Sequence, residues 1–487
     1  MKHHGVLAFL LLALSFLLLF SACQTQGQSS SENSPGATLT GTDSSSTASD
    51  ELTMEVFTVD DAYLRNAARQ YEQKTGIKVS IQNYWVDMEW VEANFIDSNG
   101  ESVTTWLLLG PSDTSLYDQK VLSALTTGGG ADIYDVCSLD FEYLGRNGLL
   151  ADMGSWVEND AELAAETVFC NILLSGKIGE GVFAVPIDFN YFKLHAVNSD
   201  EPLPGNGRMT WQEFMGAVSE LDYTGEIAYR GTDLDIFMNR FVSRASYFID
   251  DAGNTGAFNS EEMLSLLEEC KEWSDIGLCA KYGDPVTMTA SWSYTMGSSV
   301  DVAEFFSTPP EEYRKDNYYR FAPMPFDGNL VKTDEGELYP EIGWLIPFYG
   351  VNAGSERAET AQDFLRFLLT EEGQKSMMSM GMVLDNGFAF PINRAVFRSM
   401  IERDLERIKK DFERVKTDTS TVEMDIPALI NEAEETVGEV AYIIIEKPYY
   451  NTIIREVAKQ FFLDQISAEE AAMQMSNKVG LYIKEQG

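Results

Sequence analysis

"LTMEVFTVDDAYLRNAARQYEQKTGIKVSIQ", Leu52 to Gln82, decides the fold class. Leu52, Met54 and Val56 alternate with Thr53 and Glu55, the two-residue period of a strand with one buried face. Leu64, Ala67, Ala68 and Tyr71 then recur at the spacing of an amphipathic helix. Gly76 stops that helix, and "TGIKVSIQ" reads as a second strand. Strand–helix–strand is the building block of a mostly parallel sheet, because parallel neighbours need a crossover. The expectation is an α/β fold.

Downstream, the same alternation continues. A helix precedes "TTGGGADIYDVCSLD" (Thr126–Asp140), where a glycine-rich turn leads into another strand. "NGLLADMGSWVEND" (Asn147–Asp160) reads as a turn and a short helix. "GVFAVPIDFNYFKLHAVN" (Gly181–Asn198) is extended and broken by Pro186, which cannot donate to a sheet ladder. "MTWQEFMGAVSEL" opens with Thr210 and has Glu213 three residues on, the spacing of a capping box. "EIGWLIPFYGVNAGS" (Glu341–Ser355) is extended again. Ala361, Phe364, Leu365 and Leu368 mark an amphipathic helix ending near Gly373, and the chain from Met400 onward reads as helical. No internal repeat is evident.

Upstream lies "LLLFSACQ" (Leu17–Gln24). Lys2, His3 and His4, an apolar run from Gly5 to Phe20, and small residues at its end describe a secretory signal peptide. The run is shorter than the roughly 20 apolar residues that a membrane span needs. Ser21 and Ala22 before Cys23 resemble a bacterial lipobox, with Phe20 where Leu is commoner. Residues Gln24 to Asp50 are too polar and small to build a core, and read as a flexible tether. The expectation is a signal peptide over 1–22, lipid on Cys23, a tether over 23–50, and a folded body anchored to the outer face of a cell membrane.

The chain has 487 residues, 44% of them hydrophobic, enough for one large or two medium domains. It carries 35 Lys+Arg against 77 Asp+Glu, a net charge of −42. That acidity excludes nucleic acid as a partner and disfavours direct adhesion to anionic lipid heads. Setting Cys23 aside leaves Cys137, Cys170, Cys270 and Cys279. On an exported chain these allow up to two disulfides, with a local Cys270–Cys279 bridge and buried thiols as the open alternatives. His195 is the one histidine outside the leader. No HExxH and no GxxxxGK[ST] motif occurs, so no zinc site or phosphate loop is expected, and no cofactor.

Several stretches together resemble the extracellular solute-binding proteins of ABC transporters, in particular the sugar-binding group. "YLRNAARQYEQKTGIKVSI" looks like that family's first helix and second strand. "LTTGGGADIYDVCSLDFEYLGRNGLLADM" is similar to another family segment, with Ala131 where Pro is usual. "GVFAVPIDFNYFKLHAVN" is similar to its crossover, and "TWQEFMGAV" and "RFAPMPF" to short signatures. "GVNAGSERAETAQDFLRFLLTEEGQKSMMSMG" (Gly350–Gly381) is the most specific match, and "ISAEEAAMQMSNKVGLYIKE" resembles the last helix.

The resemblance implies a two-lobe periplasmic-binding-protein-like fold of type II with the ligand cleft between lobes. Lobe 1 would comprise 51–187 plus 345–396, and lobe 2 would comprise 188–344 plus 397–487. Three crossings would fall near Pro186–Tyr191, Gly343–Leu345 and Arg394–Met400. It implies a non-enzymatic, monomeric binding component that captures a neutral oligosaccharide for permease subunits.

Sugars present hydroxyls and flat apolar faces, so a site for them needs carboxylates or amides and aromatic rings. By position in the family, the candidates are Asp60 and Asp61 after the first strand, Asp140 after "ADIYDV", and Asp188 and Asn190 at the first crossing. Asp233 joins them from the second lobe, with Trp292 and Tyr450 as stacking rings and Trp344 and Phe388 in segments bordering the cleft. Val136 and Leu139 stand where the resemblance implies the aromatic and charged residues of maltose binders. A secreted glycoside hydrolase, an adhesin, and the same fold with a peptide or organic acid ligand remain open from sequence.

Overall fold

The computed structural model describes residues 51–58, 61–85, 89–96, 102–109, 115–157, 159–197, 209–219, 231–249, 255–283, 292–296, 319–323, 331–333, 336–338, 341–344, 348–378, 390–415, 425–438, 440–444 and 448–486. Cys23, expected to carry the lipid, and the candidates Asp60 and Phe388 lie outside them.

The strands that matter here are β1 (Glu51–Val56), β2 (Lys78–Asn83), β3 (Ile133–Asp135), β4 (Val185–Pro186), β5 (Asp188–Val197), β6 (Trp292–Met296), β7 (Tyr319–Pro323), β8 (Glu341–Trp344), β9 (Phe348–Val351), β10 (Phe390–Pro391) and β11 (Val440–Ile444). The helices are α1 (Ala62–Thr75), α2 (Ser115–Thr127), α3 (Phe141–Arg146), α4 (Asp233–Ser243), α5 (Glu261–Asp275), α6 (Ala358–Leu369), α7 (Glu371–Met378), α8 (Arg394–Val415), α9 (Ile426–Gly438), α10 (Pro448–Phe462) and α11 (Ala468–Gln486).

The opening stretch folds as its periodicities require. β1 buries Leu52, Met54 and Val56 completely, and α1 buries Tyr63, Leu64, Ala67, Ala68 and Tyr71. Gly76 ends α1 at φ 80, where its N–H reaches Glu72 O at 2.8 Å. A left-handed residue there favours glycine, which has no Cβ to clash. β1 pairs in parallel with β2 and with β3, and the first sheet runs β2-β1-β3-β9-β4 with β9 antiparallel to both of its neighbours.

One carboxylate pins this sheet. Asp132, 4% exposed, accepts Thr53 N at 2.7 Å and Thr53 Oγ1 at 2.8 Å on Oδ2, and Ser355 Oγ at 2.5 Å on Oδ1. It joins β1, the turn into β3 and the loop after β9. Asn352 supports the same junction by donating to Gly129 O and Ala131 O at 3.1 and 3.0 Å.

α6 buries Ala361, Phe364, Leu365 and Leu368, as its spacing predicts. It stops at Leu369 and not near Gly373. Thr370 turns extended, and its Oγ1 accepts Gly373 N at 3.2 Å to start α7. Gly373 lies so close to the end of α6 that a Cβ there would stand 2.0 Å from Phe367 O. The Thr210–Glu213 capping box forms: Glu213 N donates to Thr210 Oγ1 at 3.1 Å, and Thr210 N donates to Glu213 Oε2 at 2.8 Å.

The second sheet runs β6-β5-β8-β11, with β7 and β10 also paired to β5. β5 follows β4 after one residue, so the chain passes from the first sheet to the second at Pro186–Asp188. It returns between Trp344 in β8 and Phe348 in β9. Two hydrophobic clusters accompany the sheets. One holds β1, β3, β9, α1 and α6; the other holds α4, α5, α10 and α11.

The third passage differs in place from the expectation. Residues 394–400 form the first turns of α8, and Phe397, Met400, Ile401 and Leu405 belong to the first cluster, as do Ile426, Ile430, Ala433 and Val437 of α9. Arg394 and Arg398 pair with Glu434, which ties α8 to α9. α8 and α9 therefore pack with the first core, and after β10 the next strand of the second sheet is β11. Residue 396 falls inside the first turn of α8, so the expected boundary lies within one continuous helix.

Candidate ligand-binding site

β1, β2 and β3 are parallel, and β4 shares their direction because both it and β3 run antiparallel to β9. Their carboxyl ends therefore lie on one edge, the place where open α/β sheets hold ligands. Phe57 and Thr58 follow β1, Tyr84 and Trp85 follow β2, Asp135 closes β3, and Asp188 follows β4.

Side chains from the flanking helices close around this edge. Asn83 fixes two of the loops: its Oδ1 accepts Thr58 N and Trp85 N at 3.3 and 3.0 Å, and its amide donates to Thr58 O at 2.9 Å. Phe57 meets Trp85 edge-on at 5.0 Å between ring centroids and Tyr117 of α2 at 5.7 Å. Tyr117 OH reaches Asp135 O at 2.8 Å. Tyr63 of α1 and Tyr349 of β9 bring their hydroxyls to 3.4 Å. Ser138 Oγ donates to Asp118 Oδ1 at 2.5 Å.

Two carboxyls in this group are electrostatically unusual. Burial, and then the negative charge of Asp118, push Asp135 up to about 7, against the two backbone N–H groups that favour its anion. Burial, and then the charge of Asp135, push Asp188 up to about 7. Asp188 Oδ1 and Trp85 Nε1 are both shielded from solvent and have no hydrogen-bond partner among the described residues. An acceptor and a donor left open among aromatic rings are what a hydroxyl-bearing ligand would satisfy. Among the described residues the nearby cations are engaged elsewhere, Lys120 with Glu55 and Arg65 with Asp61.

The sequence candidates distribute unevenly over this geometry. Asp188 lies in the group. Asp61 sits before α1 and is held by Arg65 through bonds of 2.7 and 2.8 Å. Asp140 caps α3, accepting Tyr143 N at 3.0 Å. Asn190 and Trp344 are register partners where β5 meets β8, two residues beyond Asp188. Trp292 pairs with Ala196, six residues further along β5 than Asn190, which is about 20 Å of extended chain. Tyr450, in the first turn of α10, is half-buried against the second core.

Asp233 is fully occupied inside the protein. It is 1% exposed; Oδ1 accepts Leu234 N and Tyr282 N, each at 2.9 Å, and Oδ2 accepts Ser274 Oγ at 2.7 Å. Its removal orphans three donors at the α4–α5 junction. Asp233→Ala is expected to lower stability by about 2–3 kcal/mol, with ligand affinity unchanged, as melts and calorimetric titration would read.

Asp135, Tyr63, Trp85 and Tyr349 escaped the sequence reading. Asp135 and Trp85 carried a usable signal, since each ends or follows a predicted strand. Tyr63 and Tyr349 carried none, and both are buried. Val136 and Leu139 are buried at 0% and 3% and serve the core.

No protein-family model matches the chain, and no curated protein matches it in sequence. Solved structures do. An ABC substrate-binding protein from Listeria monocytogenes in complex with cycloalternan superposes with a TM-score of 0.53 at 12% identity, covering 89% of this chain and 99% of that one. An extracellular solute-binding protein of family 1 from Alicyclobacillus acidocaldarius gives 0.52 at 14%, covering 89% and 98%. The chain thus has the fold of ABC-type substrate-binding proteins, as the sequence resemblance implied.

Proposed function

We propose that this protein is the membrane-anchored substrate-binding component of an ABC importer. It captures a neutral oligosaccharide between two lobes that close about the segments joining the two sheets, and hands it unaltered to permease subunits. The observation that carries this reading is the pair of open polar atoms, Trp85 Nε1 and Asp188 Oδ1. Both stand at the carboxyl edge of the first sheet, Trp85 Nε1 after β2 with its ring against Phe57, and Asp188 Oδ1 at the Pro186–Asp188 passage. The shared fold supports it, and the Listeria protein's carbohydrate ligand favours a sugar over a peptide or organic acid. Hinge closure is the motion such a fold offers.

The direct test is calorimetric titration of the mature chain with linear and cyclic oligosaccharides. Binding of one class, one per chain, is the expected result; binding only of peptides or organic acids would move the assignment. Hydrolysis by Asp135 and Asp188 acting as an acid–base pair would instead return a shortened sugar.

Trp85→Ala is expected to weaken binding about tenfold, through lost ring contact and one lost donor. Trp292→Ala is expected to weaken it less, given its distance along β5. A larger effect at Trp292 would shift the binding centre toward the second sheet. Anchoring is tested separately: labelled palmitate should enter the wild type and not Cys23→Ser, and label that survives the substitution would remove Cys23 as the anchor.

A further inference from the structure

The second core holds two cysteines that the binding function does not use. Cys270 lies on α5 and Cys279 just beyond it, buried at 0% and 2% exposure in the same cluster. α5 ends in a reversal at Gly277, with φ 81. Leu278 N donates back to Trp273 O at 2.9 Å and Gly277 N to Ser274 O at 3.1 Å, the paired bonds of a Schellman motif. The chain after Gly277 therefore returns along the helix that it has just left.

Asp233 fixes the returning segment. Ser274, one helical turn beyond Cys270, and Tyr282, three residues beyond Cys279, bond to its two carboxylate oxygens. Ala280 bonds Gly231 O through its N–H at 3.0 Å and accepts Asp233 N at 3.0 Å. Arg240 of α4 reaches Cys270 Sγ at 3.6 Å. Both sulfurs thus belong to the α4–α5 junction. In this structure both are free thiols, and the Cys279 thiol is pushed up by burial, by Asp233 and by Cys270.

We propose that Cys270 and Cys279 form a disulfide in the exported protein. The proposal rests on the reading that the chain leaves the cytoplasm, where thiols stay reduced. Both sites are closed to solvent in the finished fold, so the bridge forms as α4 and α5 come together. An incoming disulfide donor exchanges with the pair: two cysteine S–H bonds give one S–S bond, and the donor's S–S bond is reduced to two thiols. The product closes a short loop across the reversal and holds the segment that Asp233 anchors.

Trypsin separates the pair, because Lys271 lies between them: Cys270 falls in peptide 245–271 and Cys279 in peptide 272–281. The full mature chain is isolated from exporting cells, unfolded without reductant, alkylated and digested. The expected product is these two peptides joined, two hydrogens lighter than their sum and released by reductant, with Cys137 and Cys170 alkylated. A second arm refolds the reduced, unfolded chain in the presence of oxidised glutathione. A joined peptide in the second arm alone upholds the pairing and overturns the export reading. Cys270 and Cys279 both alkylated in both arms would overturn the proposal.

Discussion

Asp188→Asn is expected to stabilise the empty protein above neutral pH while weakening ligand binding at least about tenfold. In the folded chain the Asp188 carboxyl holds its proton up to about 7, against an ordinary value of 3.8. The folded state therefore binds that proton more tightly than the unfolded state does. Its stabilising effect is complete below pH 4 and is lost as pH rises through 7. Asparagine carries no charge and escapes that loss. After allowance for solvent screening and for the share that Asp135 takes, the gain at pH 8 is about 1–2 kcal/mol. Melts at pH 5 and pH 8 should show the wild type losing more stability across that interval than the variant. Parallel losses in the two proteins, with affinity intact, would remove Asp188 from the site. A residue that weakens the empty fold and strengthens the complex is the pattern expected of a binding group.

Asp132→Ala should have the larger effect on stability. The change leaves Thr53 N, Thr53 Oγ1 and Ser355 Oγ without the acceptor that gathers them, inside a junction 4% exposed. A loss of about 3–5 kcal/mol is expected, with a marked drop in melting temperature and normal affinity in the fraction that remains folded. A change below about 1 kcal/mol would mean that water replaces the carboxylate at this junction.

These two aspartates show what was legible in the sequence. Asp132 stands in the "GGGADIYD" stretch that carries part of the family resemblance, yet its job is to join strands. Asp188 was found through its place beside a proline-broken crossing. The strand–helix–strand opening and α6 were readable because a buried face imposes a strict period. The limits of α6 were not, because Thr370 and Gly373 act through local hydrogen bonding and close approach, which periodicity does not encode.

The site itself was harder to read. Asp135 and Asp188 are far apart in sequence and meet only because β9 runs between their strands. Burial sets their charge behaviour, and burial is a property of the assembled sheet. Asp233 looked like a ligand contact by position, but its three donors are supplied by residues 234, 274 and 282, and only the fold reveals them. Trp292 reads as a stacking ring by its place in the family, and only the register of β6 on β5 shows how far along the strand it stands from Asn190.

Native mass spectrometry of the full mature chain tests the central claim most directly. The protein is incubated with a mixture of neutral oligosaccharides, desalted and measured intact, and the bound molecule is then released and identified. The account predicts one saccharide per chain, recovered with its mass unchanged, and bound far less by Asp188→Asn. A chain that retains no saccharide, or that returns one shortened, would contradict it.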